Sequence, residues 1–171
     1  MVEGHKKHSC EFVFYLWIQI FGTIFKTADE RNVPAKFHAQ SKEFIMNEKL
    51  VCLGGQLIEL VNNNYRIFHK YPTSHLETSS MLKRFTSLPH PGVMFLKSAV
   101  QNVGGYQDNF KWVEDWDLWL RLLNQGEIYN LEIPTVIYRR HVDQVTQMHK
   151  LEIAENGIEL LKFNIFRIYN L

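Results

Sequence analysis

The stretch Val113 to Gln125, VEDWDLWLRLLNQ, constrains the fold more than any other part of the chain. Placed on a helical wheel, its side chains sort into two arcs. Asp117, Arg121, Asn124, Gln125 and Glu114 form one contiguous polar arc. Val113, Trp116, Leu118, Trp119, Leu120, Leu122 and Leu123 fill the rest. Gly126 is suited to end the helix, because glycine takes the left-handed cap without a side-chain penalty. Asp115 breaks the partition, projecting from the apolar arc between Leu122 and Trp119. A carboxylate there is costly unless it is capped, paired or facing a cleft. Two readings stand. Asp115 is an N-terminal helix acid bonding free backbone N–H groups, or a carboxylate held at a cleft wall to take a proton. Glu114 and Asp117 read as solvated, with Asp117 paired to Arg121 one turn on.

Around this helix the pattern alternates between strands and helices. A helix is predicted from Pro34 to Asn47, with Pro34 at its first position. Leu50–Leu53 reads as a short buried strand stopped by Gly54–Gly55. Leu57–Val61 and Tyr65–Tyr71 read as a hairpin around Asn62–Asn64, since asparagine tolerates the left-handed turn conformation. Residues 74–85 read as a helix with Ser74 as N-cap and Glu77 at capping-box spacing. Leu88–Gly92 is a stiff non-helical corner. Val93–Leu96 is a buried strand, and a short helix from Ser98 ends at Gly104–Gly105. Glu127–Tyr138 is a strand kinked at Pro134. Leu151–Tyr169 is an amphipathic helix whose apolar face packs on the body.

Composition narrows the function. The 171 residues suit one domain, and 46% hydrophobic residues permit a buried core. A net charge of +1 removes the usual electrostatic case for nucleic acid. Cys10 and Cys52 are too few for a disulfide framework or a Cys-rich zinc module, so a reducing compartment is the default. Residues 12–25, FVFYLWIQIFGTIF, read as a membrane anchor, a buried strand or a poorly packed end. His38, His69, His75 and His149 lack metal-ligand spacing and read as surface residues. No Walker loop, GxGxxG, GxSxG or HExxH occurs. Tyr138-Arg139-Arg140-His141 follows a strand, where sites sit in open α/β sheets. It reads as a solvated basic corner, or as His141 near a metal or phosphate with an arginine holding an anion.

Four phrases in order are distinctive: His90-Pro91-Gly92-Val93-Met94-Phe95, Gly104-Gly105-Tyr106, Glu114-Asp115-Trp116-Asp117-Leu118-Trp119-Leu120-Arg121, and Tyr138-Arg139-Arg140-His141. Together they resemble the C-terminal half of family 2 glycosyltransferases, inverting enzymes with the GT-A fold. Pro34–Gln40 resembles the helix that follows the family's metal-binding acids. That alignment sets Thr27-Ala28-Asp29-Glu30 on the acidic motif, with Thr27 where the family has an acid. The family's N-terminal strand and nucleotide-binding unit have no counterpart here.

The resemblance implies a partial GT-A-like α/β fold, a mixed sheet with flanking helices. It divides the chain into a hydrophobic segment (1–26), a glycosyltransferase 2-like domain (27–148) and a C-terminal helix (149–171). It implies inverting transfer of a sugar from a nucleotide-diphosphate sugar to an acceptor hydroxyl. Asp115 would be the general base, with Glu114 positioning the base or acceptor. His90, Gly104, Gly105 and Arg140 would contact substrate. Asp29 and His141 would hold Mn2+ or Mg2+. The alternative is a catalytically inactive remnant or interaction domain of the same fold. The cytoplasm, or a membrane surface reached through residues 12–25, is the expected location.

Overall fold

Two long strands set the frame. In the computed structural model, which describes residues 31–32, 36–61, 65–139 and 148–169, β2 (Leu50–Val61) and β5 (Glu127–Arg139) run side by side and parallel. Parallel neighbours need a long crossover, and here it carries most of the other elements. β1 (Arg31–Asn32) adds antiparallel to β5, while β3 (Tyr65–His69) and β4 (Met94–Phe95) add antiparallel to β2. The result is a five-stranded mixed sheet in an α/β chain. Its helices are α1 (Lys36–Met46), α2 (His75–Leu82), α3 (Lys97–Asn102), α4 (Glu114–Leu122) and α5 (Lys150–Tyr169).

The predicted break at Gly54–Gly55 does not occur; β2 runs through both glycines. The reason lies on the neighbouring strand. A side chain on Gly54 would collide with the Asn130 amide, and one on Gly55 with Thr135. These glycines let two strands approach, a common use of glycine inside a strand. The register shifts here, between Gly54 opposite Asn130 and Gln56 opposite Pro134. Proline has no N–H for a ladder and belongs at such irregularities. Buried Gln56 fills the gap: its Nε2 donates to the Leu131 carbonyl at 2.6 Å, and its Oε1 accepts from the Tyr71 N–H at 2.6 Å.

The β2–β3 hairpin pairs Leu57 with His69 through Val61 with Tyr65. Asn62–Asn64 lie outside the described residues, as do residues 1–30. At the N-cap of α2, the Ser74 hydroxyl accepts from the Glu77 N–H and donates to the Glu77 carboxylate at 2.8 Å. The helix ends at Leu82, three residues short of the predicted end. The corner at residues 88–92 contains one 3-10 turn, His90–Gly92.

Leu50 and Val51 enter different apolar clusters, as successive strand residues on opposite faces do. The small cluster joins Leu50, Leu53 and Met94 to Phe44 of α1. The large one is built around α4 and includes Leu82, Phe95, Val100, Trp116, Trp119, Leu122, Ile128 and Leu160. Trp116 donates its indole N–H to the Leu82 carbonyl at 2.7 Å, satisfying both its own polar edge and the last turn of α2.

One face of α5 packs on the body through Ile153, Gly157, Leu160 and Leu161. Its apolar surface is wider than that face. Leu151, Ile158, Ile165 and Phe166 are exposed. Among the described residues no helix is long and apolar enough to cross a membrane. Residues 12–25 lie outside that description.

Candidate active site

Helix α4 starts without a side-chain cap at Val113. Acids in its first turn take over that role, as the positive end of the helix dipole favours. Asp115 Oδ1 accepts the Trp116 N–H at 2.7 Å. Asp115 as a whole is only partly exposed. Burial pushes its carboxyl up to about 6, against the opposing pull of the Trp116 and Asp115 N–H groups. Asp115 thus bonds a free helical N–H and is also largely stripped of water. An acid near 6 is mostly ionised at neutral pH yet basic enough to accept a proton usefully.

Glu114 lies beside it. Burial raises its carboxyl first, opposed by its own N–H; the Asp115 charge raises it further, and the Trp112 N–H pulls the other way. Its Oε2 is enclosed and has no hydrogen-bond partner among the described residues. Two adjacent carboxyls are therefore raised together.

The helix's polar arc behaves otherwise than predicted. Asp117 and Arg121 pair as expected but are buried, at 3% and 8% exposure, and Glu114 is half-buried. The expectation of solvated Glu114 and Asp117 is corrected. Arg121 Nε and Nη2 both donate to Asp117 Oδ2, at 2.9 and 2.6 Å, and Nη1 donates to the Val103 carbonyl at 2.6 Å. The guanidinium satisfies a backbone carbonyl beyond the end of α3, so this face of α4 is covered by protein.

Trp119 lies one turn after Asp115 on the same side of α4. Its ring packs 5.8 Å from that of His90 and 6.3 Å from that of Phe95. The His90 Nε2 and the Tyr106 hydroxyl share a hydrogen bond of 2.7 Å. Burial lowers the imidazole to about 4, so His90 is neutral at physiological pH. Tyr106 is delivered by Gly104 and Gly105, at φ of +82° and +69°. Glycine takes this left-handed backbone at little cost. The Gly105 N–H closes the end of α3 on the Val100 carbonyl at 2.9 Å. Three phrases distant in sequence thus meet: His90–Gly92, Gly104–Tyr106 and the α4 helix.

Two residues of this assembly were not singled out from the sequence. Lys36 Nζ donates to the Pro91 carbonyl at 3.1 Å, and Gln40 Nε2 donates to the carbonyls of Gly92 (2.9 Å) and Leu53 (3.0 Å). Both are buried with Phe44 along one stripe of α1. Their spacing of four, the same as that from Gln40 to Phe44, was the available signal.

Trp112, two residues before Glu114, has φ of +70°. For a residue with a side chain this costs on the order of 1–2 kcal/mol. Such a conformation persists where neighbours impose it.

Asp29, Arg140 and His141 lie outside the described residues. Tyr138 and Arg139, just before them, close β5. Among the described residues no group of three His, Cys, Asp or Glu is placed to hold a metal ion, so no described set fits a divalent cation. Cys52 is fully buried, and burial raises its thiol. His149 is partly exposed, and its ring stacks on Trp112.

No family model matches the chain. The chain is similar to proteins named as glycosyltransferases. One is an uncharacterized glycosyltransferase of Haemophilus influenzae, 32% identical over 111 residues, covering 64% of this chain and 40% of that protein. Another is the O-antigen biosynthesis glycosyltransferase WbnJ of Escherichia coli, 31% identical over 100 residues, covering 57% and 38%. The amylovoran biosynthesis glycosyltransferase AmsE of Erwinia amylovora is 22% identical over 138 residues, covering 80% and 52%. The chain therefore spans about two-fifths to half the length of these curated relatives.

Proposed function

We propose that this chain is a family 2-like glycosyltransferase domain of GT-A type, transferring a sugar with inversion from a nucleotide-diphosphate donor to an acceptor hydroxyl. The observation that carries this reading is Asp115: a carboxyl raised to about 6 at the start of α4, on the side of the helix that faces His90 through Trp119. The glycosyltransferase names of the relatives support the class of reaction.

In this reading the acceptor hydroxyl gives its proton to Oδ2 of Asp115, because Oδ1 accepts the Trp116 N–H. The acceptor oxygen then attacks the anomeric carbon. The bond from that carbon to the diphosphate breaks on the opposite face, and its electron pair leaves with the nucleoside diphosphate. Glu114, its neighbour in the shielded first turn, keeps the acceptor oriented. Neutral His90, fixed by Tyr106, offers a polar edge without a competing charge. Arg140 is proposed to meet the anionic leaving group, and Asp29 and His141 a divalent cation. That cation would neutralise diphosphate charge.

The test is sugar transfer, or donor hydrolysis, by the full chain with manganese, compared with Asp115→Asn. Turnover in the parent that falls 10²-fold or more in the variant supports the reading, a range set by general-base catalysis. Turnover in neither assigns the chain to the alternative, a non-catalytic domain of the same ancestry.

A further inference from the structure

We infer that His149, Glu152 and Asn156 of the C-terminal helical segment are positioning residues for the Glu114–Asp115 pair, acting through Trp112. The inference rests on the transferase reading only for its kinetic consequence.

The segment Phe110–Val113 leads directly into α4, and α5 holds three of its four residues. The Phe110 ring packs 5.7 Å from that of Phe163. The Lys111 carbonyl accepts from Asn156 Nδ2 at 3.0 Å. The Trp112 indole N–H donates to Glu152 Oε2 at 2.9 Å. The Trp112 ring stacks on His149 at 4.4 Å, with planes 20° apart. Glu152 Oε1 in turn bonds His149 Nδ1 at 3.0 Å. Residues 149, 152 and 156 are three and seven positions apart, which sets them on one helical face. The next residue, Gly157, lies against the Trp116 ring so closely that an added methyl would sit 3.1 Å from it.

These contacts surround the left-handed residue of the leading segment. Trp112 has φ of +70°, a conformation that its own sequence disfavours. Its indole is gripped on the edge by Glu152 and on the face by His149, and the Lys111 ammonium lies 4.7 Å from the ring centroid. The consequence for the site follows from the chain itself, because Trp112 adjoins Val113, the residue that opens α4 at Glu114, and its N–H also helps to lower the Glu114 carboxyl against the effect of burial. Turning the Trp112 peptide moves that N–H and tilts the first turn of α4, where Asp115 takes the Trp116 N–H. Sub-ångström placement of a catalytic group matters for rate, since misplacement by 1 Å can cost about 10²-fold.

The experiment compares the full chain with Glu152→Ala/Asn156→Ala and with Glu152→Gln. The first readout is a carbon-13 NMR titration of the Asp115 carboxyl, with a parent midpoint near 6. In the double alanine variant the midpoint falls by about one unit, as water and rearranged N–H groups reach the carboxylate. In Glu152→Gln it stays near the parent value, because the amide oxygen still accepts from the indole. The second readout is transfer: kcat falls about tenfold in the double variant with KM unchanged, and is rescued in Glu152→Gln. An unchanged Asp115 midpoint in the double variant overturns the inference, even with a lower melting temperature. So does an effect confined to KM. A parent chain without transfer sinks the transferase reading and leaves the titration to decide this one. Should the double variant not fold, Glu152→Ala alone supplies the comparison.

Discussion

Arg121 binds Asp117 within α4 and the Val103 carbonyl outside it, with both side chains buried. One guanidinium therefore links the helix that carries Asp115 to the turn that delivers Tyr106. The pair is structural, and it fixes the angle between two walls of the candidate site.

Breaking that pair on one side leaves a buried charge without its partner. Arg121→Met is expected to cost about 3–5 kcal/mol of stability. Arg121→Met combined with Asp117→Leu is expected to recover much of the loss, because no stranded carboxylate remains. Urea unfolding at neutral pH measures both. A single variant as stable as its parent would contradict the buried geometry.

Asp115 makes stability depend on pH with a definite sign. Its folded value near 6 lies above its ordinary 3.8, so the folded chain binds the extra proton between those limits. Its contribution is present below about pH 4 and is lost as pH rises through about 6, on the order of 2 kcal/mol after allowance for partial exposure. Asp115→Asn removes this dependence. At pH 7.5 the variant is expected to be at least as stable as the parent while losing turnover. Denaturant midpoints at pH 4 and 7.5 check it; a variant clearly less stable at pH 7.5 would count against a carboxylate held at a cost.

His90 works the other way. Its folded value of about 4 lies below the ordinary 6.5 because burial disfavours the imidazolium. Its contribution is present above pH 6.5 and is lost as pH falls through 4, on the order of 3 kcal/mol. Between pH 4 and 6 the two residues oppose each other. The Asp115→Asn variant should thus lose stability on acidification more steeply than the parent, and His90→Gln less steeply. Equal slopes in all three chains would refute the assignment.

Two glycines should fail for different reasons. Gly54→Ala drives a methyl into Asn130, whose amide is held by the carbonyls of Pro72 and Ser87. The expected loss is about 1–3 kcal/mol, typical of overpacking. Gly105→Ala meets nothing within 4 Å but must keep φ of +69°, at about 1–2 kcal/mol. Thermal melts of the double variant Gly54→Ala/Asn130→Ala separate the mechanisms. Removing Asn130 relieves the clash but also loses its bonds, so the Gly54→Ala penalty, measured in the Asn130→Ala background, should shrink. An undiminished penalty would show that the clash is not its source.

Local features were legible where one residue's neighbours in sequence decide the outcome. The Ser74–Glu77 cap, the turn at Gly104–Gly105 and the Asp117–Arg121 spacing all concern contacts within a few positions, and the structure contains each of them. The stop proposed at Gly54–Gly55 failed because the reason for those glycines is Asn130 and Thr135, more than seventy positions away. Lys36 and Gln40 could be given no role from the sequence because their partners, the carbonyls of Leu53, Pro91 and Gly92, come from other elements.

The sequence alone determined that α4 is a helix with one acid out of step, since a repeat of 3.6 residues exposes any side chain that breaks it. It could not say what would cover the polar arc, because periodicity reports which residues share a face and nothing about what packs there. Only the tertiary structure decided that Arg121 turns inward to Val103, that α5 grips Trp112, and that Asp115 lies where protein has displaced most of its water. Each of those outcomes depends on desolvation, which exists only once distant segments have closed around the group.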